Sequence, residues 1–108
     1  MPSALVNRYA VHFRLEKEGK VRGVISRDAS LFMAIESCLA AYEATGHQGF
    51  VIEDQRRDRI FRLDRNLLLR ILFLKASNRS RYFEVFNGLE TSGGQAELES
   101  LLADFAPI

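Results

Sequence analysis

The chain has 108 residues, of which 47% are hydrophobic and 27% charged, values that exclude an intrinsically disordered chain and fit one domain over residues 1–108. Its single cysteine, Cys38, excludes an internal disulfide framework. The N-terminus has no signal-peptide pattern, and the most apolar window, residues 67–74, is far shorter than the roughly 20 residues of a membrane span, so we expect a cytoplasmic protein without a membrane segment.

The net charge of +1 is unevenly distributed along the chain. Residues 56–81 hold nine Lys/Arg and two Asp, a net charge of +7, whereas residues 82–108 hold five Asp/Glu and no Lys/Arg, a net charge of −5. This asymmetry indicates either an anion-binding segment or two oppositely charged elements that lie side by side. Those elements belong either to one chain or to two copies that pair about a two-fold axis.

The first half of the chain predicts a β-hairpin followed by a helix. Residues 8–15 alternate between apolar and polar side chains, as a half-buried strand does, and residues 21–26 supply a second strand after a turn around Gly19. From residue 31 to residue 42 the apolar side chains recur at helical spacing, and Gly46 is well placed to end that helix.

The second half predicts another hairpin, from residues 50–52 and Arg59–Leu63, and then a leucine-rich helix over residues 67–76. This helix is apolar nearly all round, so it is either enclosed by the domain or covered by a partner. Alternating aromatic side chains predict a fifth strand over residues 81–86.

Ser92 and Gln95 have the spacing of a capping box, and they precede a last amphipathic helix that ends near Phe105. The predicted element order is therefore ββαββαβα. We predict a single α+β domain, with a mostly antiparallel sheet of about five strands and two or three helices packed on one face.

The basic residues of the two hairpins are candidates for binding the phosphate backbone of nucleic acid, or another anion, on the face of the sheet away from the helices. The candidates are Arg8, Arg14, Arg22, Arg56, Arg57, Arg59 and Arg62. The strand aromatics Tyr9 and Phe13 fall on the apolar side, so no stacking platform for bases is predicted. The other interpretation is a solvated face with salt bridges to Glu16, Glu18 and Asp58.

Cys38 and His47 would be the reactive pair of a thiol enzyme, because a base can activate a cysteine nucleophile. However, Cys38 falls on the apolar stripe of its helix, where a cysteine acts as a small buried hydrophobe. His12 and His47 lack any spacing typical of a zinc site. We therefore predict no catalytic residue, no metal site and no cofactor.

The function predicted from these observations is that of a non-enzymatic binding or regulatory protein that acts through protein–protein contacts, self-association as a homodimer included. The predicted interface lies on the leucine-rich helix, at Leu67, Leu68, Arg70, Ile71 and Leu74. Nucleic-acid binding by an arginine-rich sheet face is the alternative, and a small cysteine-dependent enzyme is the third hypothesis.

Overall fold

The computed structural model describes residues 8–15 and 20–105, with side chains for residues 8–14 and 23–105. The elements in chain order are β1 (Tyr9–Leu15), β2 (Lys20–Asp28), α1 (Leu31–Thr45), β3 (Phe50–Asp54), β4 (Arg59–Leu63), α2 (Arg65–Ser77), α3 (Arg79–Thr91) and α4 (Gln95–Leu102). The fold class is α+β, as predicted. The turn predicted around Gly19 lies outside the described residues.

The strands form one antiparallel sheet in the order β2-β1-β3-β4. Val11 lies opposite Ile52, and Ile52 lies opposite Phe61, so these three side chains share one face. All three are buried in the core together with side chains from the helices. The opposite face carries polar side chains such as His12 and Arg62, which alternate with the buried residues along their strands.

The first helix, α1, forms as the sequence predicts. The side-chain oxygen of Ser30 accepts a hydrogen bond from the backbone N–H of Met33 at 3.1 Å, which caps the N-terminus. Gly46 ends the helix with φ = 75°, and its N–H donates to the carbonyl of Tyr42 at 2.8 Å. The buried side of α1 consists of Leu31, Ala34, Ile35, Cys38 and Leu39.

The leucine-rich helix α2 is capped by Asp64, whose carboxylate accepts the backbone N–H of Leu67 at 2.9 Å. It spans 13 residues and packs against β4, α3 and α4. Among the residues that the structure describes, no helix is both long and apolar enough to cross a membrane.

The prediction of a strand over residues 81–86 is wrong, because these residues lie within α3. The buried side chains of α3 are Tyr82, Val85, Phe86 and Leu89, which recur at helical spacing. The strand preference of aromatic residues is therefore outweighed by the burial of one side of a helix. The described part of the chain has four strands and four helices, in the order ββαββααα instead of ββαββαβα.

Strand β4 forms one edge of the sheet, and a side chain covers it. The backbone N–H of Arg62 donates to Oε1 of Gln95 at 2.7 Å, and Nε2 of Gln95 donates to the carbonyl of Arg62 at 3.0 Å. The amide of Gln95 thus occupies the place that a neighbouring strand would take. The predicted capping box is wrong, because Gly94 is the N-cap of α4 without a side-chain bond, and Ser92 bonds to the carbonyl of Gly88.

We expect Gln95→Ala to lower the free energy of unfolding by about 1–2 kcal/mol, because the two hydrogen bonds to Arg62, of about 1 kcal/mol each, are lost. The exposed hydrogen bond from Nε2 of Gln95 to Oε2 of Glu99 is lost as well. Amide hydrogen exchange at Arg62, measured by NMR, should become faster. Gln95→Glu keeps an acceptor for the Arg62 N–H, but it loses the donor and places a carboxylate beside Oε2 of Glu99, so it should destabilise the chain as well. The exposed Gln48 provides a control, Gln48→Ala. Unchanged exchange at Arg62 in Gln95→Ala would contradict the role of this side chain.

Candidate functional site

Asp54 is the last residue of β3. Among the described residues it is the one charged residue that is buried, with 2% of its surface exposed. Arg8 donates from Nε to Oδ1 at 2.9 Å and from Nη2 to Oδ2 at 3.0 Å. Arg59, directly opposite in β4, donates from Nε and Nη2 to Oδ2 at 2.9 and 2.7 Å. The backbone N–H groups of Arg56 and Arg57 also donate to Oδ1. The carboxylate is therefore fully paired in the core.

These contacts keep Asp54 ionised. Burial alone would raise the pKa of Asp54, but the hydrogen bonds from Arg8, Arg59 and the backbone outweigh burial and lower the pKa to about 2. The hydrogen bond to Asp54 in turn raises the pKa of Arg8. At neutral pH the side chain of Asp54 therefore only accepts hydrogen bonds, and it has no proton to give as a general acid.

The remaining donors of the arginines bind the C-terminal end of α3. Arg59 donates from Nη1 to the carbonyls of Leu89 and Gly93 at 2.8 and 2.6 Å, and Arg57 donates from Nη1 to the carbonyl of Thr91 at 2.6 Å. The last carbonyls of a helix have no partners within the helix and carry the negative end of its dipole. The two guanidinium groups therefore cap α3.

Glu90 connects this end of the sheet to α1. Its Oε1 accepts the backbone N–H of Leu31 at 2.8 Å, and its Oε2 lies 3.5 Å from Nη1 of Arg8. A carboxylate at the N-terminus of a helix is favourable because the helix dipole is positive there. We call Arg8, Asp54, Arg59 and Glu90 the arginine–carboxylate cluster; it joins two strands to α1 and α3.

The arginines that were predicted to bind anions differ from one another in their surroundings. The guanidinium groups of Arg8, Arg57 and Arg59 are held by Asp54, Glu90 and the backbone of α3 and the loop after it, so they lie away from the open sheet face. Arg56 is exposed in the turn between β3 and β4. Arg22 lies in β2 opposite Phe13, and its side chain is outside the described set.

Arg14 and Arg62, two further predicted anion-binding residues, share a groove. They line a shallow groove of about 250 Å³ with Glu99 and with Asp64. This groove therefore mixes both signs of charge. The predicted salt-bridge partners Glu16 and Glu18 lie outside the described residues.

The five residues of the predicted interface hold α2 to the rest of the chain. Leu67, Leu68, Ile71 and Leu74 are buried in the core. Arg70 donates from Nη1 to the carbonyls of the last turn of α4, those of residues 102 and 103, at 3.2 and 3.0 Å. The part of α2 that remains open to a partner is its opposite side.

That opposite side is also apolar. It carries Leu69, Phe73 and Ala76 at positions i, i+4 and i+7, which align along one side of a helix. Phe73 is 41% exposed, Ala76 is exposed, and Leu69 is half-buried. We call these three residues the α2 stripe. The leucine-rich composition indicated that α2 has an apolar side outside the core. It could not show which side of α2 faces the core, because the helix is apolar nearly all round.

A second exposed apolar feature lies where α1 meets α3, and sequence analysis missed it. Phe83 is 45% exposed and stacks on Phe32, with ring centroids 4.5 Å apart and planes inclined by 17°. Met33, the next residue of α1, is 49% exposed. The helical spacing of α3 would have indicated this surface if residues 81–86 had been assigned to a helix.

Glu36 links α1 to α2 and α3. The hydroxyl of Tyr82 donates to Oε2 of Glu36, and Nζ of Lys75 lies 2.9 Å from the same oxygen. Burial and the hydrogen bond to Glu36 raise the pKa of Tyr82. In the arginine–carboxylate cluster, burial and the charges of Asp54 and Glu90 raise the pKa of Tyr9 from 10 to about 12.

These tyrosines predict a loss of stability at alkaline pH. A phenol whose pKa is higher in the folded state stabilises that state fully below pH 10, and this contribution is lost as the pH rises through the folded pKa. In a Tyr42→Phe variant, where only Tyr9 and Tyr82 absorb as phenolates, we expect the phenolate signal to rise together with the loss of circular dichroism. Ionisation of both tyrosines near pH 10 in a folded chain would disagree with this expectation.

Cys38 and His47, the reactive pair considered for a thiol enzyme, both make contacts that support the fold. Cys38 is completely buried, and burial raises the pKa of its thiol, which keeps the thiol protonated and unreactive. Nε2 of His47 lies 2.9 Å from the carbonyl oxygen of Arg14, and the His47 ring packs on Phe13 at a centroid distance of 4.6 Å. Within residues 8–15 and 20–105, no group of three or more His, Cys, Asp or Glu side chains is placed to hold a metal ion.

Compared with known proteins, the chain matches no family model, no curated protein and no solved structure.

Proposed function

We propose that the chain is a non-enzymatic binding protein that acts through contacts with a protein chain. The exposure of Phe73, Phe83 and Met33 on the helical side of the domain carries this proposal. Apolar surface gains about 25 cal/mol for each Å² removed from water, so a partner that covers these side chains gains affinity. Phenylalanine, methionine and arginine are also enriched at protein–protein interfaces.

The nucleic-acid alternative has less support from the same geometry. A phosphate would compete with Asp54 and with the α3 carbonyls for the guanidinium groups of Arg8, Arg57 and Arg59. Breaking a buried ion pair costs about 3–5 kcal/mol, more than an added phosphate contact returns. The remaining pair of Arg14 and Arg62 lies beside carboxylates, which repel phosphate. The cysteine hypothesis is weakened by the burial of Cys38.

The proposal is tested by site-specific photo-crosslinking in cells, with p-benzoylphenylalanine in place of Phe73 or of Phe83. The control carries the same residue in place of Ala40, an exposed position on α1. We expect a protein adduct at Phe73, at Phe83 or at both, and none at Ala40. Mass spectrometry identifies the adduct, and binding of the identified protein is then reconstituted with purified components.

The proposal also requires that Phe73→Glu or Phe83→Glu weakens the reconstituted binding. Adducts that nuclease removes, together with salt-sensitive binding of nucleic acid, would favour the alternative function. If neither position forms a protein adduct, the proposal is overturned.

A further inference from the structure

We infer that the α2 stripe is covered by the acidic side of α4 from a second copy of this chain, in a two-fold dimer. The inference rests on the proposed function and names the partner. The stripe, Leu69, Phe73 and Ala76, is half-buried to exposed in the single chain. A partner must match both its apolar side chains and the charges around them.

The surroundings of the stripe are basic. Residues 65–83 contain five Lys/Arg and no Asp/Glu. Arg65 is exposed and lies one turn before Leu69 on the same side of α2, and Arg79 is exposed where α3 begins. Arg81 is exposed as well, but it lines a groove of about 270 Å³ together with Glu97 of the same chain. None of these three arginines forms an ion pair within the described residues. The matching surface is therefore acidic.

Helix α4 of the same chain carries such a surface. Glu97 and Glu99 are exposed on either side of a row of small residues at positions 96, 100 and 103, opposite the buried Leu98 and Leu102. In the described part of the chain, neither glutamate forms an ion pair. The small side chains leave space for a protruding ring such as that of Phe73.

The two surfaces are neighbours in one molecule. Arg70 of α2 binds the carbonyls that end α4, and a groove of about 230 Å³ between the helices is lined by Asn66, Arg70 and Glu99. A two-fold axis along this groove places α2 of each copy on α4 of the other, so that both stripes are covered at once. An axis across the groove would place α2 on α2 and bring like charges together. Charge therefore selects the first arrangement.

The experiment measures the mass of the purified full chain by analytical ultracentrifugation over a range of concentrations. We expect a dimer, and we expect Phe73→Glu to weaken dimerisation by at least about tenfold in dissociation constant. Phe83→Glu, a matched change of an equally exposed ring on α3, should leave the dimer intact. Phe73→Ser, which introduces no charge, provides a second variant in case Phe73→Glu does not fold; circular dichroism checks the fold of each.

Charge reversal tests the arrangement of the two copies. We expect Arg65→Glu to weaken the dimer, and Glu97→Arg with Glu99→Arg to weaken it as well. The chain that carries all three changes should recover dimerisation, because the opposite charges are restored on exchanged helices. Failure of the three changes together to recover dimerisation would overturn the arrangement.

A folded wild-type chain that stays monomeric, or a dimer that Phe73→Glu does not weaken, overturns the inference. If a monomeric chain still forms adducts with another protein at Phe73, the proposed function survives and only the identity of the partner fails. Binding of the monomer to vesicles of anionic lipid through Phe73 would assign the stripe to a membrane surface instead, and would overturn the inference too.

Discussion

Asp54→Asn is expected to lower the free energy of unfolding by about 3–5 kcal/mol, because it removes a buried charge that pairs with two guanidinium groups. The side chains of Arg8 and Arg59 are 10% and 13% exposed, so water cannot replace the lost carboxylate. The substitution keeps the size of the side chain, so its effect comes from the lost charge and from an NH2 group that faces N–H donors in place of an acceptor oxygen. Urea unfolding followed by circular dichroism measures it.

Asp58→Asn is the matched control for this prediction. Asp58 lies in the turn next to the cluster, is exposed, and has φ = 53°, a conformation that asparagine also accepts. We expect this control to change stability by no more than about 0.5 kcal/mol. If Asp54→Asn unfolds at nearly the same urea concentration as the control, the arginine–carboxylate cluster does not stabilise the fold as described.

The Asp54→Asn variant also tests how the stability of the fold depends on pH. The pKa of Asp54 falls from 3.8 to about 2 on folding, so its carboxylate stabilises the folded state above pH 3.8, and this contribution is lost as the pH falls through 2. The difference in unfolding free energy between wild type and Asp54→Asn should therefore be constant near neutral pH and shrink below pH 3.8. A difference that grew on acidification would contradict the assigned direction of the shift.

Gly93→Ala is expected to destabilise the chain by about 2–3 kcal/mol, through two effects at one position. Gly93 has φ = 88°, a conformation in which a side chain is strained, and an added Cβ would lie 2.2 Å from Cγ of Glu97. Relief of that contact moves the start of α4 or the Gly93 carbonyl, which accepts a hydrogen bond from Arg59. Thermal unfolding monitored by calorimetry measures the change.

Gly88→Ala separates this effect from the ordinary consequence of replacing glycine. Gly88 lies inside α3, and an added Cβ there would have no neighbour within 4 Å. Alanine is favoured over glycine in a helix by about 1 kcal/mol, so this control should stabilise the chain. The two variants are thus expected to shift the midpoint of unfolding in opposite directions, and a shift in the same direction would show that the contact with Glu97 is easily relieved.

Sequence patterns predicted the elements in which burial follows a regular period. The alternation over residues 8–15 and the helical spacing from Leu31 to Tyr42 are local, and β1 and α1 formed accordingly. The error at residues 81–86 arose because Tyr82, Phe83 and Phe86 have aromatic side chains with a strand preference. The spacing of Val85 and Leu89 with Tyr82 and Phe86 was the stronger signal, since it places four side chains on one side of a helix.

The arrangement of the charges could not be predicted, because its contacts are distant in sequence. Asp54 and Arg59 are close in the chain, but Arg8 and Glu90 lie 82 positions apart and meet only in the folded domain. The net charges of the segments suggested acidic side chains as partners of the arginines. Most partners of Arg57, Arg59 and Arg70 are instead backbone carbonyls at or just after the ends of helices, which composition does not reveal.

The arginine–carboxylate cluster also constrains the order in which the chain consolidates during synthesis. Arg8 is synthesised 82 residues before Glu90, and α3 ends directly after Glu90. The carboxylate of Asp54 and the guanidinium group of Arg8 therefore lack their full set of partners until β4 and α3 have been synthesised. The closing contacts join residues 82 positions apart in sequence, so we expect them to form late in folding. Nascent chains that stop before α3 are therefore expected to be cleaved by proteases more readily than chains that extend through α4.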